Sequence, residues 1–236
     1  MPKHLVAAVG VVAACALGTG SAEAATLDAK VAVTPNTGGS ARHPQGHRVT
    51  VDASVVVPEG EFPPTLTGVE LWYGPGLEFH RDGVPTCSPR VLSQGGPTAC
   101  PPRSQVGQTG GGGIEPDDPV EAQPKFHLFN APGGRMTIYA TLQHPARVRA
   151  VMPGTVIDGA RGAWPHRDAW TFPVTLQNVA QMPVTIGRLR FSFGGTRAAP
   201  HYVASTSCPP GGWPWRMRVH AGATVLVADG RAPCRR

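Results

Sequence analysis

The chain has 236 residues and a mass of 24.7 kDa, enough for one or two domains. Charged residues make up only 15% of it, and its 30 glycines and 26 prolines almost reach the share at which low complexity is the first expectation. Hydrophobic residues amount to 41%, enough for a buried core, and the 26 valines against 12 leucines favour strands over helices. These numbers exclude a coiled coil, a helical bundle and a multi-pass membrane protein.

The first residues, 1–24, have the pattern of a secretory signal peptide. Lys3 gives a positive start, and Leu5–Leu17 is an uncharged apolar run that is too short to cross a membrane core of ~30 Å. Ala22-Glu23-Ala24 fits the small-x-small cleavage pattern. We therefore predict cleavage after Ala24, and secretion or association with the cell envelope. No later stretch reaches transmembrane length.

A lipoprotein signal is the alternative. Val12-Ala13-Ala14-Cys15 matches a bacterial lipid-attachment motif, which would anchor the chain at Cys15. The apolar run before this cysteine is short and continues beyond it, which favours simple secretion.

The four remaining cysteines predict two disulfides, because an even number in an exported chain is typical of a disulfide framework. Their spacings lack the Cys-x₂₋₄-Cys pairs of zinc sites, so we predict no metal. Cys87 should pair with Cys100, since residues 93–97 can reverse the chain. Cys208 should pair with Cys234, since a turn at Ala221-Gly222 lies midway between them.

Prolines are spread along the chain and leave no room for a long helix, while the alternation typical of strands recurs. Clear alternation covers 49–57, 136–142, 170–176, 189–193, 215–220 and 225–227, and weaker strands are predicted at 27–33, 66–73, 120–129, 148–157 and 202–208. About ten short strands separated by turns predict an all-β fold, an antiparallel β-sandwich of the Ig-like or jelly-roll-like kind. We expect one domain over residues 25–236.

Segment 103–119 contains four consecutive glycines and predicts a flexible loop within this domain; a linker between two domains is the alternative. Four acidic residues lie in this segment or just after it: Glu115, Asp117, Asp118 and Glu121. They match no calcium-loop pattern and are interpreted as solvated.

No catalytic motif is present. There is no Gly-x-Ser-x-Gly and no His-Glu-x-x-His, and His80-Arg81-Asp82-Gly83 is interpreted as a turn. His166 and Asp168 could form a dyad, but no nucleophile lies beside them, and the nine histidines are interpreted as surface or loop residues. Trp215 is expected in the core and Trp213 over the Cys208 disulfide. We predict no catalytic residue, no cofactor and no specific nucleic-acid binding.

Arg-x-Arg occurs on three predicted strands. The pairs are Arg147 and Arg149, Arg188 and Arg190, and Arg216 and Arg218. Each pair alternates with apolar residues and should point away from the core. If the three strands are neighbours, six guanidinium groups would form one face for an anionic envelope polymer; otherwise they are ordinary solvated residues.

Two stretches resemble a family. One runs from Pro85-Thr86-Cys87-Ser88 to Ala99-Cys100-Pro101 and continues with Ser104, Gly107 and Thr109. The other comprises residues 145–150 with Thr206-Ser207-Cys208-Pro209 and Gly212-Trp213-Pro214. They resemble an uncharacterised group of exported actinobacterial proteins. The resemblance covers most of the mature chain, residues 25–236, and implies a secreted, disulfide-bonded, β-rich fold. It implies no activity and no catalytic residue.

We therefore expect an exported, non-catalytic binding or structural module of the cell surface or extracellular space. One alternative is a secreted hydrolase, which would show a carboxylate pair or a histidine–nucleophile pair converging in a pocket. The other is a binder of anionic envelope polymer through the arginine pairs.

Overall fold

The computed structural model describes residues 24–61, 63–108, 125–142, 147–157, 159, 162–173, 178–179, 182–183, 187–197 and 199–235. The predicted signal peptide, the lipid-attachment motif and the acidic cluster lie outside the described residues, apart from Ala24. The described strands are β1 Thr26–Thr34, β2 Gln45–Gly46, β3 Arg48–Val56, β4 Leu66–Tyr73, β5 Leu77–Phe79, β6 Gln105–Gln108, β7 Lys125–Ala131, β8 Arg135–Leu142, β9 Val148–Ile157, β10 His166–Thr171, β11 Asn178–Val179, β12 Met182–Pro183, β13 Arg188–Gly194, β14 Val203–Ser205, β15 Trp213–Ala221 and β16 Thr224–Ala232. One helix, α1 Pro89–Gly95, is described.

Eleven of these strands form one antiparallel sheet in the order β1-β3-β13-β6-β7-β8-β9-β10-β4-β15-β16. The ends of this order, β1 and β16, contact each other, so the sheet almost closes on itself. Strands from the two halves of the chain are interleaved: β13 lies between β3 and β6, and β4 lies between β10 and β15. The predicted all-β antiparallel fold is confirmed.

The long strand β9 joins the two halves of the sheet. Val148–Pro153 pairs with β8, whereas Gly154–Ile157 pairs with β10. A Cβ on Gly154 would collide with the carbonyl oxygen of Met136 and with the indole of Trp170. Glycine marks strand positions where another chain segment approaches this closely, and here it allows one strand to change partners.

The two halves of the sheet, β1 to β8 in the strand order on one side of β9 and β10 to β16 on the other, pack face to face around a common core. Two internal cavities are each lined by Val69 of β4, by Phe172 just after β10 and by Leu189 of β13. Side chains of β15 also line one cavity, and side chains of β7 and β8 also line the other. The inward residues alternate with outward ones along β3, β13 and β15, as the sequence pattern predicts.

Two sequence predictions need correction. The segment 103–119 was expected to be a loop, but its first residues form a 3₁₀ turn at Pro102–Ser104 and then β6, in the middle of the sheet. Gly107 makes this possible, because any Cβ there would collide with Ser192 of β13. The strand predicted at 170–176 begins at His166 and ends at Thr171, before Pro173.

Both predicted disulfides are present, Cys87–Cys100 with Cα atoms 5.4 Å apart and Cys208–Cys234 with Cα atoms 5.7 Å apart. The first encloses α1, not the turn expected at 93–97; Ser88 caps this helix by accepting a hydrogen bond from the Val91 amide. The second closes over the β15–β16 hairpin, which turns at Gly222 as predicted. Disulfides of this kind are typical of oxidising compartments.

Within the described part of the chain, no helix has the length and apolar character needed to span a bilayer.

Candidate functional site

The six arginines do not form one face. The strand order places β13, β9 and β15 four and three positions apart, which at ~4.8 Å per strand separates the pairs by ~19 Å and ~14 Å. These separations exceed the Debye length of ~10 Å at 0.1 M salt. The hypothesis of a six-arginine surface is therefore wrong, because it required neighbouring strands.

Most of these arginines have local partners instead. Arg188 makes two hydrogen bonds to the Asp52 carboxylate, at 2.9 and 2.8 Å, and Arg190 lies 3.8 Å from the same group. Arg216 pairs with Asp229 at 3.3 Å. Arg147 and Arg149 are exposed where β9 begins. Cross-strand carboxylates thus pair with three of the six arginines, namely Arg188, Arg190 and Arg216.

A different polar cluster lies on the outer side of β10, β4 and β15, with Glu70 at its centre. Glu70 Oε1 accepts hydrogen bonds from Arg167 Nη2 at 2.9 Å and from His220 Nε2 at 3.0 Å, and Oε2 accepts one from Trp72 Nε1 at 3.0 Å. Only 9% of Glu70 is exposed. Antiparallel register explains this convergence, because Glu70 is flanked by Ala169 of β10 and by Arg218 of β15.

The cluster keeps Glu70 ionised. Burial by itself raises the pKa of this carboxyl group, but the hydrogen bonds from His220 and Arg167, the charge of Arg167 and the bond from Trp72 together leave the pKa below its ordinary value. Glu70 therefore remains a charged acceptor at neutral pH.

Trp72 lies beneath two guanidinium groups. The Cζ atom of Arg167 is 4.9 Å from the ring centroid and that of Arg218 is 5.6 Å away. These distances are those of cation–π contacts, which hold the arginine side chains in fixed positions. Farther along the same side of the sheet, Arg216 lies 5.1 Å from the ring of Trp164.

Beside this cluster is a hollow of about 400 Å³, which we call the Glu70 hollow. Its polar lining residues are Thr67, Glu70, Thr155, Arg167, Thr171 and His220. The floor contains small residues, Gly68 and Ala169, which leave the space open. The lining thus offers hydroxyl, carboxylate, guanidinium and imidazole groups at one place, in a volume within the usual range for ligand sites, about 300–1,000 Å³.

A histidine–serine pair occurs elsewhere in the fold. His47 Nε2 lies 2.7 Å from Ser205 Oγ, and His47 Nδ1 lies 2.8 Å from the carbonyl oxygen of Pro35. The carbonyl can only accept, so Nδ1 carries the proton and Nε2 accepts from the serine hydroxyl. Burial lowers the pKa of His47, although the Pro35 hydrogen bond opposes this.

This pair has the contacts of a nucleophile and its base, but both residues are completely buried. The Gly39 amide donates to Ser205 Oγ at 3.0 Å, so the pair ties the segment after β1 to β14. His47 lies in the connection between β2 and β3, in line with the prediction of a surface or loop residue, but its burial was not predicted because it depends on segments distant in sequence.

The other sequence candidates are also placed. Asp168 is buried and accepts a hydrogen bond from Arg81 Nη2 at 3.1 Å, a partner that the predicted dyad with His166 did not include. Residues 82–84 form the predicted turn, but Arg81 beside it is buried. Trp215 is in the core as predicted, and Trp213 is buried with its Nε1 donating to the carbonyl of Ser207, next to Cys208.

One sign of the Glu70 cluster is readable in the sequence: each of its members faces outward from a strand. These members are Glu70, Trp72, Arg167 and His220, and strand order alone brings them together. Among the described residues, no group of three or more His, Cys, Asp or Glu side chains could hold a metal ion.

Comparison of the chain with protein families, with curated proteins and with solved structures finds no match.

Proposed function

We propose that this protein is an exported, non-catalytic binding module of the cell surface or extracellular space, which holds a hydroxyl-rich ligand such as a polysaccharide segment in the Glu70 hollow. The observation that carries the proposal is the composition of the hollow. Charged groups there are paired with each other, and the remaining polar groups are hydroxyls. A sugar hydroxyl both donates and accepts, so it can bond to either kind of group.

Export is part of the same proposal. The signal-peptide pattern in residues 1–24 and the two disulfides both support it. The resemblance to exported actinobacterial proteins agrees with this setting.

Binding rather than hydrolysis is favoured by the chemistry of Glu70. Glycoside hydrolysis commonly needs two carboxyl groups that flank the scissile bond. Glu70 is the one carboxylate among the described residues that line the hollow, and both of its oxygens already accept hydrogen bonds. Three hydrogen bonds already use three of its roughly four acceptor positions, so Glu70 orients the donors around it.

Co-sedimentation tests the proposal. Purified protein lacking residues 1–24 is mixed with peptidoglycan sacculi, chitin or cellulose particles, and the bound fraction is measured. We expect saturable binding to at least one particle. Arg167→Gln should lower the affinity by about tenfold or more, since a hydrogen bond to a charged group contributes about 1.5–3 kcal/mol. Thr171→Val should lower it by about two- to tenfold, since a hydrogen bond between neutral groups contributes about 0.5–1.5 kcal/mol. Arg188→Gln, which changes an arginine already paired with Asp52, is the matched control. Absence of binding to all three particles, or equal losses in the control, would show the proposal to be wrong.

The hydrolase alternative rests on Ser205 and His47, which lie at hydrogen-bonding distance. A fluorophosphonate probe, which attaches covalently to an activated serine, distinguishes the two functions. We expect no labelling, because Ser205 is buried beneath the segment that contains Gly39. Labelling that disappears in Ser205→Ala would instead support a hydrolase.

A further inference from the structure

A second cavity lies on the outer side of the other half of the sheet. Its volume is about 360 Å³, and its lining includes Arg48, Gln105, Ser192, Gly194, Thr196 and Arg197. These residues belong to β3, β6, β13 and the segment that follows β13. We call this cavity the Arg48 cleft; it shares no lining residue with the Glu70 hollow.

The Arg48 cleft is positively charged. Arg48 and Arg197 are both exposed, and no acidic residue is among the described residues that line the cleft. Across the described ranges, neither guanidinium group has a hydrogen bond or an ion pair to another residue. On the same two strands, by contrast, Arg188 and Arg190 share the carboxylate of Asp52. Two arginines at one cleft without a carboxylate partner give it a local positive potential that attracts anions.

The backbone holds the two arginines at one cleft. Gly194 is the partner of Arg48 in the β3–β13 ladder. Gly194 and Gly195 then have φ angles of +74° and +56°, which turn the chain sharply at the end of β13. A Cβ on Gly195 would lie 3.0 Å from the backbone nitrogen of Arg48, so the turn packs directly against β3.

The segment after this turn is also hydrogen-bonded. The Ala199 amide donates to Thr196 Oγ1 at 3.0 Å and to the Thr196 carbonyl at 3.1 Å. The Thr196 hydroxyl can therefore donate its own hydrogen to a ligand in the cleft. These two hydrogen bonds also fix the backbone from which the side chain of the next residue, Arg197, extends.

We propose that the Arg48 cleft binds an oxyanion, a phosphate, sulfate or carboxylate group, through the guanidinium groups of Arg48 and Arg197 and the hydroxyl of Thr196. A guanidinium group presents paired N–H donors that match two oxygens of such an anion. This inference goes beyond the proposed function, since it concerns another site and a charged ligand. The bound group is either a free anion or the same group carried on a polymer.

An NMR titration tests the proposal and distinguishes the two sources. The ¹⁵N-labelled protein is titrated at low salt with inorganic phosphate and, separately, with long-chain polyphosphate. We expect saturable shifts of the Gly194–Arg197 amide signals with inorganic phosphate. Polyphosphate that binds at least tenfold more tightly, with an affinity that falls as salt rises, would identify a polymer-borne group. Equal affinity for the two probes would identify a free anion.

Variants assign the effect to the cleft. Arg48→Gln and Arg197→Gln should each weaken phosphate binding by about tenfold, because each removes a charge-assisted contact. Both side chains are exposed, so the melting temperature should stay within about 2 °C of the original. Arg188→Gln with Arg190→Gln is the matched control and should leave the affinity unchanged. No saturable shift with either probe, or an equal loss in the control, would overturn the proposal, whatever the Glu70 hollow binds.

Discussion

At the scale of single residues, the environment of a side chain sets its chemistry. His47 and His220 are both histidines on or next to strands, yet His47 is buried against Pro35 and Ser205, whereas His220 donates to Glu70 at the edge of an open hollow. Their sequence neighbourhoods do not distinguish them. The burial of His47 has a measurable consequence for stability.

The free energy of unfolding should decrease as the pH falls from about 7.5 to about 5.5. Burial lowers the pKa of His47 and of His127 below the ordinary value of 6.5, so in this range the unfolded chain binds protons that the folded protein does not. The contribution of these groups is complete above pH 6.5 and is lost as the pH falls towards their pKa values in the folded state. Urea unfolding at several pH values measures this.

Two variants test whether the buried His47 causes this pH dependence of stability. His47→Asn should lower the stability at neutral pH and flatten its pH dependence, because the buried titrating group is gone. His43→Asn changes an exposed histidine of the same segment and should retain the original dependence. A stability that stays constant or rises between pH 7.5 and 5.5 would contradict the assignment.

At the scale of elements, β6 is the most informative strand. The glycine-rich composition of residues 103–119 predicted a loop, but Gln105–Gln108 pairs with both β13 and β7. Glycine here serves close packing: without a Cβ, Gly107 allows the backbones of β6 and β13 to approach. A sequence pattern does not distinguish this use of glycine from its use in a flexible loop.

Gly107→Ala should therefore destabilise the protein by more than about 2 kcal/mol, as expected when a substitution forces a packed backbone apart. Gly83→Ala is the matched control, since a Cβ there meets nothing within 4 Å and its φ angle is not in the left-handed region. Its effect should lie within about 0.5 kcal/mol, or be slightly stabilising. Urea unfolding compares the two variants; equal effects would mean that β6 is not packed against β13.

At the scale of the whole molecule, the Cys208–Cys234 disulfide fastens the end of the described chain. The Arg235 amide donates to the carbonyl of Asn36 at 2.7 Å, and the Gly38 amide donates to the carbonyl of Arg235 at 2.9 Å. The disulfide and these two bonds thus connect the segment after β1 with the segment after β16. Chain ends that are fastened in this way resist fraying.

Replacing both cysteines, Cys208→Ala with Cys234→Ala, should reduce the free energy of unfolding by about 3–3.5 kcal/mol, from the chain entropy of the loop that the disulfide closes. Amide hydrogen exchange at Gly38 and Arg235 should become faster, because the bonds between them lose their support. Cys87→Ala with Cys100→Ala should cost about 3 kcal/mol but leave exchange at these two amides unchanged. Faster exchange in both double variants would mean that the two disulfides are not local in their effects.

Sequence patterns were enough to predict the class of fold, the approximate positions of most strands in the large sheet and the pairing of the four cysteines. These features depend on local alternation, on proline and on turns that bring nearby residues together, all of which are readable along the chain. β4 and β9, for example, have the predicted bounds.

The order of the strands in the sheet, and therefore the position of every candidate site, could not be predicted from the sequence. The outward direction of Arg188, Arg216 and Arg149 was predictable, but strand order separates them, whereas it brings Glu70, Arg167 and His220 together. The physical reason is that alternation specifies which face a side chain occupies. Pairing between distant strands, in contrast, is selected by the packing of the whole core.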